Sequence, residues 1–153
     1  MISPTSQRFR YSRLSSIIKL VAAAPLCLLS QQAMSTIVVD GTVGSGKYDV
    51  RPGSAASDYL ARNGATLTVH KNANVKEIRA TSGSTLTLTG ATVSSVHGSQ
   101  AAIALSNSSA TISDARITSH TSGGLNVARQ VGTTTGSYAQ VDNSEITGAT
   151  YGA

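Results

Sequence analysis

"GSTLTLTGATVSS", residues 83–95, and "SSATISDARITSH", residues 108–120, share one pattern. Apolar or small residues alternate with Ser and Thr, a small polar pair interrupts them, and a second aliphatic run follows. Alternation with a period of two marks a strand with one buried face, because successive side chains point to opposite sides of the sheet. Two further copies start at Gly64, "GATLTVHKNANV", and at Gly136, "GSYAQVDNSEITGA". Their anchoring aliphatics are Val69, Leu88, Ile112 and Val141, which gives periods of 19, 24 and 29 residues. In the last three copies another aliphatic follows five residues later, at Val93, Ile117 and Ile146, whereas the first copy slips by one to Val75. A weaker set of strands lies between copies, in "AAIALS" from Ala101 and "GGLNVA" from Gly123.

Repeats of this length, built of short strands and small polar turns, predict a coil in which each turn adds one rung to stacked parallel sheets. The fold class is therefore all-β, a parallel β-helix. Like residues stack on like when the inward positions are Leu86, Ala110 and Ala139, then Leu88, Ile112 and Val141. The second strand continues with Ala91, Ala115 and Ser144, and with Val93, Ile117 and Ile146. A rung's interior cannot absorb the extra residues of the longer periods, so these leave the coil as loops around "VHGSQ" (96–100) and "RQVGTTTGS" (129–137). The Thr-, Ser- and Gly-rich composition with few aromatics would also suit disorder, but the apolar residues both alternate and recur, which makes short strands the better reading.

The first 35 residues read as an export signal. Arg8, Arg10, Arg13 and Lys19 form a basic region without an acid, and "LVAAAPLCLL" (20–29) is apolar but too short to span a bilayer. Ala33 and Ser35 suit a cleavage site, which puts the mature start near Thr36. The one cysteine, Cys27, lies inside the apolar run, so no disulfide framework is expected after cleavage. A lipid on Cys27 is the rival reading, and the bulky Leu26 before it argues against that. Four of the 12 Lys and Arg residues belong to this segment, which leaves eight bases against seven acids. A near-neutral mature chain gives no electrostatic reason to expect nucleic acid as partner.

"TIVVD" and "GTVGSGKY" (36–48) raise the question of a nucleotide, since Gly41, Gly46 and Lys47 have phosphate-loop spacing. Tyr48 stands where Ser or Thr would bind magnesium, and Pro52 and Gly53 forbid the helix that the loop requires. No nucleotide is expected, and Lys47 reads as a solvated turn residue. Residues 36–63 are accordingly the N-terminal cap and lead-in, with rungs over 64–153. Lys47, Arg51, Pro52 and Gly53 would protect an edge strand from pairing with other chains.

The long export signal, the lead-in "DYLARNGATLTV" (58–69) and rungs such as "ATISDARITSHTSGGLNV" (110–127) resemble the pertactin-like passenger domains of bacterial autotransporters. The resemblance covers residues 36–153 and implies a right-handed β-helix, exported through the periplasm to the outer membrane and cell surface or released. It implies adhesion or a virulence-related display role, with a host or neighbouring-cell receptor as partner. It also implies a C-terminal β-barrel translocator, whose aromatic-girdled strands are not among these residues. "ATYGA" stops where the earlier copies enter their next strand, so the rungs are expected to be truncated before their C-terminal end.

The same architecture serves polysaccharide lyases and hydrolases, and the alternative is a fragment of such an enzyme. That chemistry needs clustered carboxylates or a positioned base. The mature acids are Asp40, Asp49, Asp58, Glu77, Asp114, Asp142 and Glu145, and no two share a ladder position in the alignment. Asp114 falls between Gly90 and Asn143 and suits a corner better than a calcium site with Asp142. Arg116 would face Glu145 on the next rung as a surface ion pair. His70, His97 and His120 occupy different phases and form no metal-ligand spacing, and no serine has a nucleophile motif. "NSS" at Asn107 fits a glycosylation acceptor but carries no weight in a bacterial export setting. Tyr48, Tyr59, Tyr138 and Tyr151 share no rung position, which disfavours a stacking platform for sugars. No residue is assigned as catalytic, cofactor-binding or metal-ligating.

Export predicts that N-terminal sequencing of the secreted chain starts near Thr36 and finds no Cys27. An intact Met1, or a lipidated Cys27, contradicts it.

Overall fold

A computed structural model describes residues 35–96, 100–129 and 131–149. The cleavage signal and Tyr151 lie outside these residues, as does His97. All regular structure among the described residues is β-strand. The chain enters as β1 (Thr36–Asp40) and β2 (Lys47–Val50). Four turns of three strands follow: β3 (Asp58–Arg62), β4 (Thr66–Val69) and β5 (Asn74–Val75); β6 (Glu77–Thr81), β7 (Thr85–Thr89) and β8 (Thr92–Ser95). The third and fourth turns are β9 (Ile103–Ser106), β10 (Ser109–Ser113) and β11 (Arg116–Ser119), then β12 (Leu125–Ala128), β13 (Tyr138–Asp142) and β14 (Glu145–Thr147).

Each turn places one strand in each of three parallel sheets. The first sheet runs β1-β3-β6-β9-β12, the second β2-β4-β7-β10-β13 and the third β5-β8-β11-β14. This is a parallel β-helix, and its register in the second and third sheets is the one the alternation predicts. Ala110 pairs with Leu86 and Ala139, and Ile112 with Leu88 and Val141. Val75, Val93, Ile117 and Ile146 form a single ladder in the third sheet. Inside, Leu67, Leu86, Leu88, Ile112, Val93 and Ile117 are fully buried, each such aliphatic worth about 1.5–3 kcal/mol in burial. Val127 and Val141 keep the same inward positions on the last turn but are each 42% exposed, because nothing stacks on their outer side among the described residues.

The coil reaches further back than the aligned copies. Residues set apart as a lead-in already carry ladders, with Ile37, Tyr59, Ile78, Ile103 and Leu125 in one register and Val39, Ala61, Ala80, Leu105 and Val127 in the next. Only the third sheet lacks a strand in the first, partial turn, where residues 51–57 run as loop. β1 and β2 are the edge strands at this end, and Lys47 opens β2 with its side chain exposed.

The corners explain how the register survives changes in length. Between the second and third sheets the chain turns on one left-handed residue per turn: Asn72, Gly90, Asp114 and Asn143, with φ of 64°, 59°, 52° and 44°. Asn, Asp and Gly are the residues that take this conformation at least cost. A small residue follows each, Ala73, Ala91, Ala115 or Ser144, and backbone bonding continues around the bend, as from Thr92 N–H to Ala73 O at 3.0 Å. The slip in the first copy is taken up here: His70–Ala73 is longer than its successors, and Val75 returns to register with Val93. Lys71 then lies against Gly90, where a Cβ would approach the Lys71 Cγ to 2.8 Å. The two predicted insertions fall at other corners, between β8 and β9 and between β12 and β13; residues 97–99 of the first and Gln130 of the second lie outside the described residues.

The register separates two neighbouring residues sharply. Ile112→Asp places an unpaired carboxylate among Leu88 and Val141 and costs several kcal/mol, whereas Thr111→Asp on the outer face costs at most about 1 kcal/mol. Urea denaturation followed by far-ultraviolet circular dichroism compares the two. Equal effects would refute the register.

Candidate functional site

The outer face of the first sheet is where charge concentrates. Its outward ladders run Thr36, Asp58 and Glu77, then Val38, Leu60, Arg79, Ala104 and Asn126, then Asp40 and Arg62. Asp58 and Glu77 are therefore direct neighbours on adjacent strands, contrary to the expectation that no two carboxylates share a ladder position. That expectation followed from aligning only the strands of the second and third sheets. The overlooked signal is the repeat of "DYLAR" (58–62) as "EIRAT" (77–81), acid then apolar then Ala, at the same 19-residue spacing that relates Val69 to Leu88.

A shallow groove of about 220 Å³ lies along this face, walled by Val38 and Leu60 and edged by Thr36, Asp58, Glu77 and Arg79. Like charges in register on neighbouring strands repel. Arg79 offsets this by donating from Nε to Glu77 Oε1 at 2.7 Å, and the Glu77 side chain is only 10% exposed. The result is a mixed-charge groove with hydrogen-bond acceptors, a donor and an apolar wall. Among the described residues no three His, Cys, Asp or Glu side chains converge as a metal site.

At the upper corner of the same sheet, Asp40 is held by four donors. Thr42 donates from Oγ1 at 2.7 Å and from its backbone N–H at 3.0 Å, Asn63 from Nδ2 at 3.2 Å and Arg62 from Nε at 2.7 Å. These bonds, the Thr42 hydroxyl foremost, hold the Asp40 carboxyl well below the usual carboxylate range. The clamp ties the first corner to the second, where Gly41 packs so closely that a Cβ would fall 2.0 Å from Asn63 O.

The phosphate-loop reading fails on its own donors. Gly41 N–H donates to Arg62 O, Thr42 N–H to Asp40, Val43 N–H to Asp40 O, Gly46 N–H to Val43 O and Lys47 N–H to Ser45 Oγ. A phosphate cradle needs those groups pointing outward, at the start of a helix. Here they close a turn that feeds strand β2.

The remaining candidates take structural places. Asn143 Nδ2 donates to Asp114 Oδ1 at 2.6 Å, so the corner ladder itself joins these side chains. Arg116 and Glu145 pair in register, Nε to Oε2 at 3.0 Å, with both side chains more than half exposed; such a pair contributes about 0–1 kcal/mol. His70 Nε2 lies 3.2 Å from Asp49 Oδ1 on the outer side of the second sheet, and His120 Nδ1 lies 3.2 Å from Ser95 O. Tyr59 is buried in the core, and Tyr48, 40% exposed on β2, packs against it at the N-terminal end with ring centroids 5.8 Å apart. Burial, and then the nearby Tyr48, raises the Tyr59 hydroxyl above its ordinary range.

Asp40→Asn lowers stability at neutral pH. The folded carboxyl titrates below its ordinary 3.8, so the contribution of Asp40 is present above about pH 4 and drains away as pH falls further. Thermal melts from about pH 6 to about pH 2 test this: the gap between parent and variant narrows toward acid, and a constant gap would refute the clamp. Lys47→Ala leaves the melting temperature and any response to ATP unchanged, as calorimetric titration with magnesium and ATP checks. Saturable ATP binding abolished by the substitution would restore the phosphate loop.

Compared with known proteins, the chain matches no family model, no curated protein and no solved structure.

Proposed function

We propose that the chain is the N-terminal part of an exported autotransporter passenger of the pertactin-like kind, a non-catalytic stalk that displays adhesive loops to a host or neighbouring-cell receptor. The observation that carries this reading is where the chain varies. The strands keep one register through every turn, while added length goes to the corners, such as 129–137, where Val131 is 97% exposed. A rigid ladder with variable corners is a scaffold for presenting loops. The basic and apolar segments of residues 8–29 support export, and a translocating barrel belongs to the same proposal. Arg62, Arg79 and Arg116 are each paired with a carboxylate, which supports a partner other than nucleic acid.

The register of Asp58 with Glu77 favours a second reading, a β-helix acting on polysaccharide, since paired carboxylates on neighbouring strands are the chemistry that glycoside cleavage uses.

The two readings separate in one set of measurements. Antibodies against residues 36–149 label intact cells of the source organism, external protease strips the label, and the purified chain binds those cells equally well with or without Glu77→Gln. Label confined to the cytosol would overturn the display reading. Release of reducing or unsaturated sugar ends from a polysaccharide panel, lost in Asp58→Asn and Glu77→Gln, would replace it with the second.

A further inference from the structure

We draw no further inference here: the strongest candidate, the apolar end of the coil at β12–β14 where Val127 and Val141 stand exposed, is an unpartnered face, and nothing in the structure shows what covers it.

Discussion

Every rung depends on the one beneath it for the partners of its backbone groups. A parallel strand satisfies its N–H and C=O groups only when its neighbours lie in register, and burying an unpaired group costs more than a single hydrogen bond returns. The chain must therefore reach the same ladder position after each turn, whatever length it has spent in between. That requirement shapes the corners. Between the second and third sheets there is almost no freedom, because Gly90-Ala91, Asp114-Ala115 and Asn143-Ser144 each make the bend with one left-handed residue and one small one. The other two corners take up the differences among the 19-, 24- and 29-residue periods.

The clamp at Asp40 meets the same requirement at the N-terminal end. A first turn has strands on one side only, and β1 would otherwise be held by its ladder to β3 alone. Asp40 joins its own corner through Thr42 to the next through Arg62 and Asn63. Inside, Tyr59 is buried beside Val39 and Val50, and Tyr48 packs against it from the open end. In the turn "GTVGSGK", Gly41 packs against the backbone of Asn63 and Gly46 against Gly41, while Gly44 serves through its left-handed φ of 62°. A phosphate loop and a tight β-corner need glycine for the same reason, close approach of backbone, and are told apart by where the N–H groups point.

Much of the fold was legible because two independent signals agreed. In the second and third sheets the alternation fixed the inward face, and the match of Leu88 with Ile112 and Val141 fixed the register between turns. The first sheet carried the weaker signal. Its outward positions include Asp58, Leu60, Glu77 and Arg79, which blur the contrast between faces, and corners of unequal length separate β6, β9 and β12. Its ladders were consequently underestimated, and with them the register that sets Asp58 beside Glu77. The corner roles of Asp114 and Asn143 were legible from residue type, since short polar side chains at a break in alternation serve turns. The donors that close around Asp40 were not, because Arg62 and Asn63 are a full turn away and only the register brings them together.

The three outer faces differ in what they can do. The middle strands of the second sheet present Thr66, Thr85 and Ser109, then Thr68, Thr87 and Thr111, a hydroxylated surface bounded by Lys47 and Asp49 on β2 and by Tyr138 and Gln140 on β13. The third shares its one exposed ion pair, Arg116 with Glu145, across its last two strands. The first alone combines a buried carboxylate, a guanidinium, a second carboxylate and apolar walls within a groove. A stalk that only displayed its corners would need nothing of this kind on a flat face, and a like-charge neighbour in register weakens the ladder that carries it. Arg79 offsets that cost for Glu77, while Asp58 takes no part in the pair. Display of the corner loops and chemistry at the first sheet therefore make different demands on the same scaffold. The side chain that separates them is Glu77, whose bond to Arg79 serves the ladder under the first demand and positions an acceptor at the groove under the second.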